Sequence, residues 1–137
     1  MKKTRLFAGL LLILALVTAC APAAQEEAIL TVGSKRYTRS DLEALGILSV
    51  DYTDKDGETT TYVGVLLSII LEDADVSEAG SNVTFTAADD YQADIPVDEA
   101  VACKNCIVAF DEDSLRMVMP DQSGKLQVKD VVEITVQ

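Results

Sequence analysis

From residue 28 onward, apolar and polar positions alternate with period two in most segments, and only short stretches follow a helical repeat. Ala28–Val32 reads as a first strand. Ser40-Asp41-Leu42-Glu43 fits a capping box and predicts a short helix that stops at Gly46. Ile47–Thr53 alternates and is β-branched at several positions. Asp56-Gly57 then signals a hairpin, with Glu58–Tyr62 as the returning, threonine-rich strand. Val65–Leu71 is apolar at close to helical length, and Gly64 is expected to let the chain turn sharply into it. Asn82–Ala87 and Tyr91–Ile95 form a strand pair around the turn Ala88-Asp89-Asp90, where short acidic side chains bond their own backbone. Val97–Ala102 reads as one helical turn behind Pro96. Ile107–Phe110 and Leu115–Met119 form another hairpin across Asp111-Glu112-Asp113-Ser114, ended by Pro120, and Val128–Val136 is the closing strand. The sum is an α+β domain with a mixed or antiparallel sheet and short helices.

The start of the chain follows a different pattern. Lys2, Lys3 and Arg5 precede the apolar run Leu6–Val17, and no acidic residue appears before Glu26. A basic start and a short apolar core predict an export signal. The run is shorter than the ~20 residues that span a bilayer. It ends in Val17-Thr18-Ala19-Cys20, which resembles the lipobox of bacterial lipoproteins, in which the cysteine is lipidated and becomes the new N-terminus. The resemblance implies lipidation of Cys20 and an anchor on the extracytoplasmic face of the cell membrane. The expected organisation is a lipoprotein signal over 1–19, a lipidated cysteine and tether over 20–29, and one domain over 30–137.

Composition narrows the function. Residues 1–19 hold three of the 11 basic residues and none of the 23 acidic ones, leaving eight cations against 23 anions. So acidic a surface repels nucleic acid and anionic headgroups, and anchoring falls to lipid. The chain has no histidine. That removes a Ser/His or Cys/His catalytic pair, a histidine-ligated metal and the usual pH switch.

Several stretches carry a resemblance in their order and spacing. They are Tyr62-Val63-Gly64-Val65-Leu66 leading into a helix, Val83 to Ala87 followed by Ala88-Asp89-Asp90-Tyr91, Ile95-Pro96-Val97-Asp98-Glu99-Ala100, Leu115-Arg116-Met117-Val118-Met119-Pro120, and Val128 to Ile134. Together they are similar to the molybdopterin-binding domain of the sulfite oxidase family, over roughly Leu30–Val136. The resemblance implies that fold and a molybdopterin cofactor, with Arg116, Lys125 and Lys129 near the cofactor-facing positions. In catalytic members a cysteine thiolate just before the segment matched by Tyr62-Val63-Gly64 binds molybdenum, and histidine and several arginines hold the pterin and its phosphate. Here Ile47–Thr61 contains no cysteine, and the arginines after the signal are Arg36, Arg39 and Arg116. The expectation is a scaffold without molybdenum catalysis and without a bound cofactor, serving as a binding or accessory module for a partner protein or small ligand. The alternative is a redox component that binds molybdopterin or passes electrons through Cys103 and Cys106.

Cys103-Lys104-Asn105-Cys106 keeps three readings open: a local disulfide, a thiol–disulfide redox pair, and a metal site aided by Asp98 and Glu99. Export favours oxidation. The strand expected after the motif, rather than a helix, supplies no dipole to lower a thiol pKa. Asp54-Lys55-Asp56-Gly57-Glu58 has part of a calcium loop but lacks its third acidic position and distant glutamate, so it reads as a charged hairpin.

Overall fold

The computed structural model describes residues 25–137. The export signal and Cys20 lie outside the described residues. Among the described residues, nine strands and three short helices follow in order as β1 (Leu30–Val32), β2 (Lys35–Tyr37), α1 (Arg39–Ala44), β3 (Leu48–Thr53), β4 (Thr59–Leu66), α2 (Leu67–Asp73), β5 (Asn82–Ala87), β6 (Gln92–Pro96), α3 (Val97–Ala102), β7 (Ile107–Asp111), β8 (Ser114–Val118) and β9 (Val131–Val136). A 3-10 turn, Gly124–Leu126, precedes β9.

The strands form two sheets. One is five-stranded in the order β2-β1-β9-β5-β6; it is mixed, because β1 runs parallel to β9. The other is four-stranded and antiparallel, β3-β4-β7-β8. Both feed one core: Val32, Val83, Phe85 and Ile134 from the first, Val65, Val108, Leu115 and Met117 from the second, and Leu67, Ile70, Leu71 and Ala100 from α2 and α3. The fold is the expected α+β class.

Four details differ from the sequence reading. Lys35-Arg36-Tyr37 forms a strand too short to show alternation; it folds back on β1 across Gly33, which takes φ +58°. The capping box of α1 is Thr38 with Asp41, not Ser40 with Glu43. Thr38 leaves β2 with extended backbone and accepts from the Asp41 amide, while the Asp41 carboxylate accepts from the Thr38 amide. Ser40 therefore falls inside the first turn, where its hydroxyl donates to Glu26. The apolar run Val65–Leu71 divides. Val65 and Leu66 finish β4 because they pair with Val108 and Ile107, and α2 starts only at Leu67. Gly64 thus lies within β4, where a Cβ would collide with the Val108 carbonyl and the Ala109 backbone. Close approach of β4 to β7, not a turn, is what requires glycine there. Last, β9 begins at Val131, after Asp130 breaks the strand at φ +52°.

Candidate functional site

The four-stranded sheet has two unlike faces. Pairing places Leu48, Val50, Tyr52, Tyr62, Gly64, Leu66, Ile107, Ala109, Arg116 and Val118 on the face turned away from the main core. Val50, Ile107, Ala109 and Val118 form a second apolar cluster there, with Leu48, Tyr52, Tyr62 and Leu66 packed against it.

Arg116 lies across this face. Register aligns Leu48, Gly64, Ala109 and Arg116 in one row. The two small residues leave a trough for the long arginine side chain. Its guanidinium carbon sits 4.7 Å from the centre of the Tyr62 ring, and Nη1 donates to the Tyr62 hydroxyl at 3.0 Å. Asp111 Oδ2 stands 3.6 Å away, too far for a strong charge-assisted bond. The side chain is only 12% exposed, and its Nε has no hydrogen-bond partner. An orphaned donor of this kind costs about 1–3 kcal/mol. It is the site's one unspent recognition group among the described residues.

Lys125 and Lys129 sit elsewhere, on the loop between β8 and β9. Both are exposed and line a shallow cavity of about 240 Å³ with Asp89 and Tyr91, a lining that does not include Arg116. The Tyr91 hydroxyl donates to the Lys125 carbonyl at 3.0 Å. The two lysines therefore share a cavity that does not include Arg116.

Cys103 and Cys106 are joined by a disulfide, with Cα atoms 5.6 Å apart. Cys103 ends α3, its amide donating to Glu99 O at 3.1 Å. Cys106 is fully buried, and its carbonyl accepts from Leu67 N at 2.9 Å, where α2 begins. Asn105 between them donates to Asp121 at 2.9 Å. The bridge thus clamps the end of α3 to the starts of α2 and β7. Among the described residues no group of three or more His, Cys, Asp or Glu side chains is arranged to hold a metal ion.

The hairpin that carried a partial calcium motif is closed by its own side chains. Asp54 Oδ1 accepts from the amides of Asp56 and Glu58, at 2.9 and 3.0 Å. A different cluster escaped the sequence reading. The Asp73 carboxylate accepts from Lys35 Nζ and the Tyr37 hydroxyl, both at 2.6 Å, tying β2 to α2. The lysine bond first and the tyrosine bond second hold Asp73 below the usual carboxylate range, and burial together with Asp73 pushes Tyr37 well above the ordinary phenol value. Tyr62 was also missed as the arginine's partner. Its signal was the period-two series Tyr62-Gly64-Leu66, which puts an aromatic ring next to a gap.

Two packed sheets with short helices at their junctions define an α+β domain of the sulfite oxidase type. The chain belongs to the oxidoreductase molybdopterin-binding domain family, whose model matches residues 22–137. Its fold is similar to that in the crystal structure of the sulfane dehydrogenase SoxCD from Paracoccus pantotrophus, with a TM-score of 0.65 and 18% identity over 80% of this chain. The match covers 37% of that longer chain. No curated protein matches the chain in sequence.

The donors present do not fit a molybdenum centre held through a protein thiolate. The segment where the resemblance places that sulfur, Ile47–Thr61, is β3, an acidic turn and the first part of β4. Asp51 there is occupied by the Thr61 hydroxyl, and Tyr52 packs on the apolar cluster. Both cysteines of the described residues are consumed by their mutual bond. The expected cofactor-facing cations are divided, Arg116 beside Tyr62 and Lys125 with Lys129 on a separate cavity, and Arg39 is engaged by Glu43 and the Phe110 ring.

Proposed function

We propose that the protein is an extracytoplasmic lipoprotein, anchored through Cys20, whose molybdopterin-type domain has lost molybdenum catalysis and works as a binding or accessory module. The observation that carries this reading is the occupation of the thiolate segment by β3 and its hairpin, with no free thiol among the described residues. The anchor reading rests on the basic start, the apolar run and the sequence Val17-Thr18-Ala19-Cys20. The acidic surface suits a domain held by lipid rather than by charge.

A resident cofactor stabilises the fold that binds it, so its presence shows in thermal unfolding. The chain is purified from two hosts, one able to make molybdopterin and one not. Equal melting temperatures are expected. A higher value from the molybdopterin-making host contradicts the reading and favours a redox enzyme component.

A further inference from the structure

β3 is an open edge. Four strands lie outermost in the two sheets: β2, β6, β3 and β8. Three of them carry the usual protection against a stranger's strand. β2 is three residues long and holds Lys35 and Arg36. β6 ends in Pro96 and has the 3-10 turn beside it. The outer side of β8 is met by the segment before β9, where Val128 O accepts from Met117 N and Gln127 Oε1 from Met119 N, both at 2.8 Å. β3 has none of these devices. It is six residues long, contains no proline or lysine, and pairs with β4 in unbroken register from Leu48 to Thr53.

The alternation of an antiparallel ladder tells which groups face outward. Asp54 N donates to Glu58 O at 2.9 Å, so Tyr52, Val50 and Leu48 make the bonded pairs with β4. The N–H and C=O groups of Ser49, Asp51 and Thr53 then point away from the sheet, and all three residues are exposed. Beyond Tyr52 and Tyr62 the hairpin leaves both apolar clusters, as Thr53, Thr59, Thr60 and Thr61 are exposed. Two bare strands are marginal in water, and a third makes such a ribbon stable.

We propose that the β3 edge is a docking site for an extended segment of a partner protein, alternately apolar and basic, which adds as a strand to the four-stranded sheet. Its apolar side chains continue the cluster of Leu48, Val50 and Tyr52. Its basic side chains fall on the opposite face, beside Asp51 and toward the turn where Asp54, Asp56 and Glu58 outnumber Lys55. Charge selects against a second copy of this chain, which has a net charge of −12. Main-chain bonds supply affinity, and the alternating side chains supply specificity. The inference rests on the reading of the domain as a binding module and names the surface it binds with.

The test uses the full chain in detergent, at physiological salt, with a synthetic hexapeptide of alternating valine and lysine. Hydrogen exchange is followed at the amides of Ser49, Asp51 and Thr53. Slowed exchange at these three amides on peptide addition is expected. A peptide N-methylated at every second residue keeps the charge but loses one edge of bonds, and should bind about tenfold more weakly. Asp51→Pro, tolerable at an outward-facing edge amide, should weaken binding to a similar degree. Asp51→Lys keeps the amide and reverses the charge, and is expected to weaken it as well. Equal binding by the N-methylated peptide, no binding at all, or protection of the same amides by self-association without peptide would each overturn the proposal. Molybdenum-loaded protein that still takes the peptide would sink the accessory reading and leave the edge intact.

Discussion

Arg116 shows how one side chain can be held without being satisfied. Gly64 and Ala109 leave it room, Tyr62 gives it a ring and one acceptor, and Asp111 stays at 3.6 Å. Its Nε is left without a partner. Replacing a poorly paired buried charge with an apolar side chain is often neutral or stabilising. Arg116→Leu is therefore expected to leave the urea midpoint unchanged or raised. A loss above about 2 kcal/mol would mean that the Tyr62 and Asp111 contacts outweigh the orphaned donor. The Lys35–Asp73–Tyr37 cluster gives a second residue-scale expectation. Asp73 has a lowered pKa, so its contribution is present above about pH 4, the unfolded carboxylate value, and is lost as pH falls through the lower folded value. Tyr37 has a raised pKa, so its contribution is full below about pH 10 and is lost as pH rises toward the folded value. Tyr37→Phe should accordingly lose less stability between neutral pH and pH values above about 10 than the parent chain does, as read from denaturant midpoints.

At the scale of elements, two features decide how the sheets and helices meet. The close approach of β4 to β7 at Gly64 leaves no space for a methyl group. Gly64→Ala should cost about 1–3 kcal/mol, as overpacking does, and a change below that range would show that β7 can shift aside. The Cys103–Cys106 bridge closes a very short loop, for which chain entropy allows only about 2 kcal/mol. A Cys103→Ala, Cys106→Ala double variant should stay folded and lose about that much. Much of this level was legible in the sequence. The β3–β4 and β5–β6 hairpins follow from Asp56-Gly57 and Ala88-Asp89-Asp90, whose backbone needs are local. What escaped has a common cause: it is set by partners distant in the chain. Val65 and Leu66 are strand because β7 lies beside them, a fact that an apolar run alone cannot show. Thr38 and Ser40 both suit a cap, and only the exit of β2 chooses between them. The disulfide was among the readings the spacing left open, whereas the Arg116 trough depends on the register of three strands.

For the whole molecule, the family fold is present while the thiolate position within it is built from other chemistry. The match over residues 22–137 places the domain, and the SoxCD likeness extends that placement to three dimensions. Within that frame the segment Ile47–Thr61 is an acidic, threonine-rich hairpin with an open edge, and Cys103 and Cys106 form a brace. The proposed anchor at Cys20 would hold the domain at a membrane without needing a positive surface. Cys20→Ser is expected to move the chain from the membrane to the soluble fraction; retention of the variant after removal of its signal would contradict the anchor. The central claim, loss of molybdenum catalysis on a conserved-type scaffold, is tested most directly by elemental analysis of the chain purified from a molybdopterin-making host. The account predicts molybdenum far below stoichiometric. One molybdenum per chain would contradict it and make the domain an oxidoreductase with an unusual ligand set.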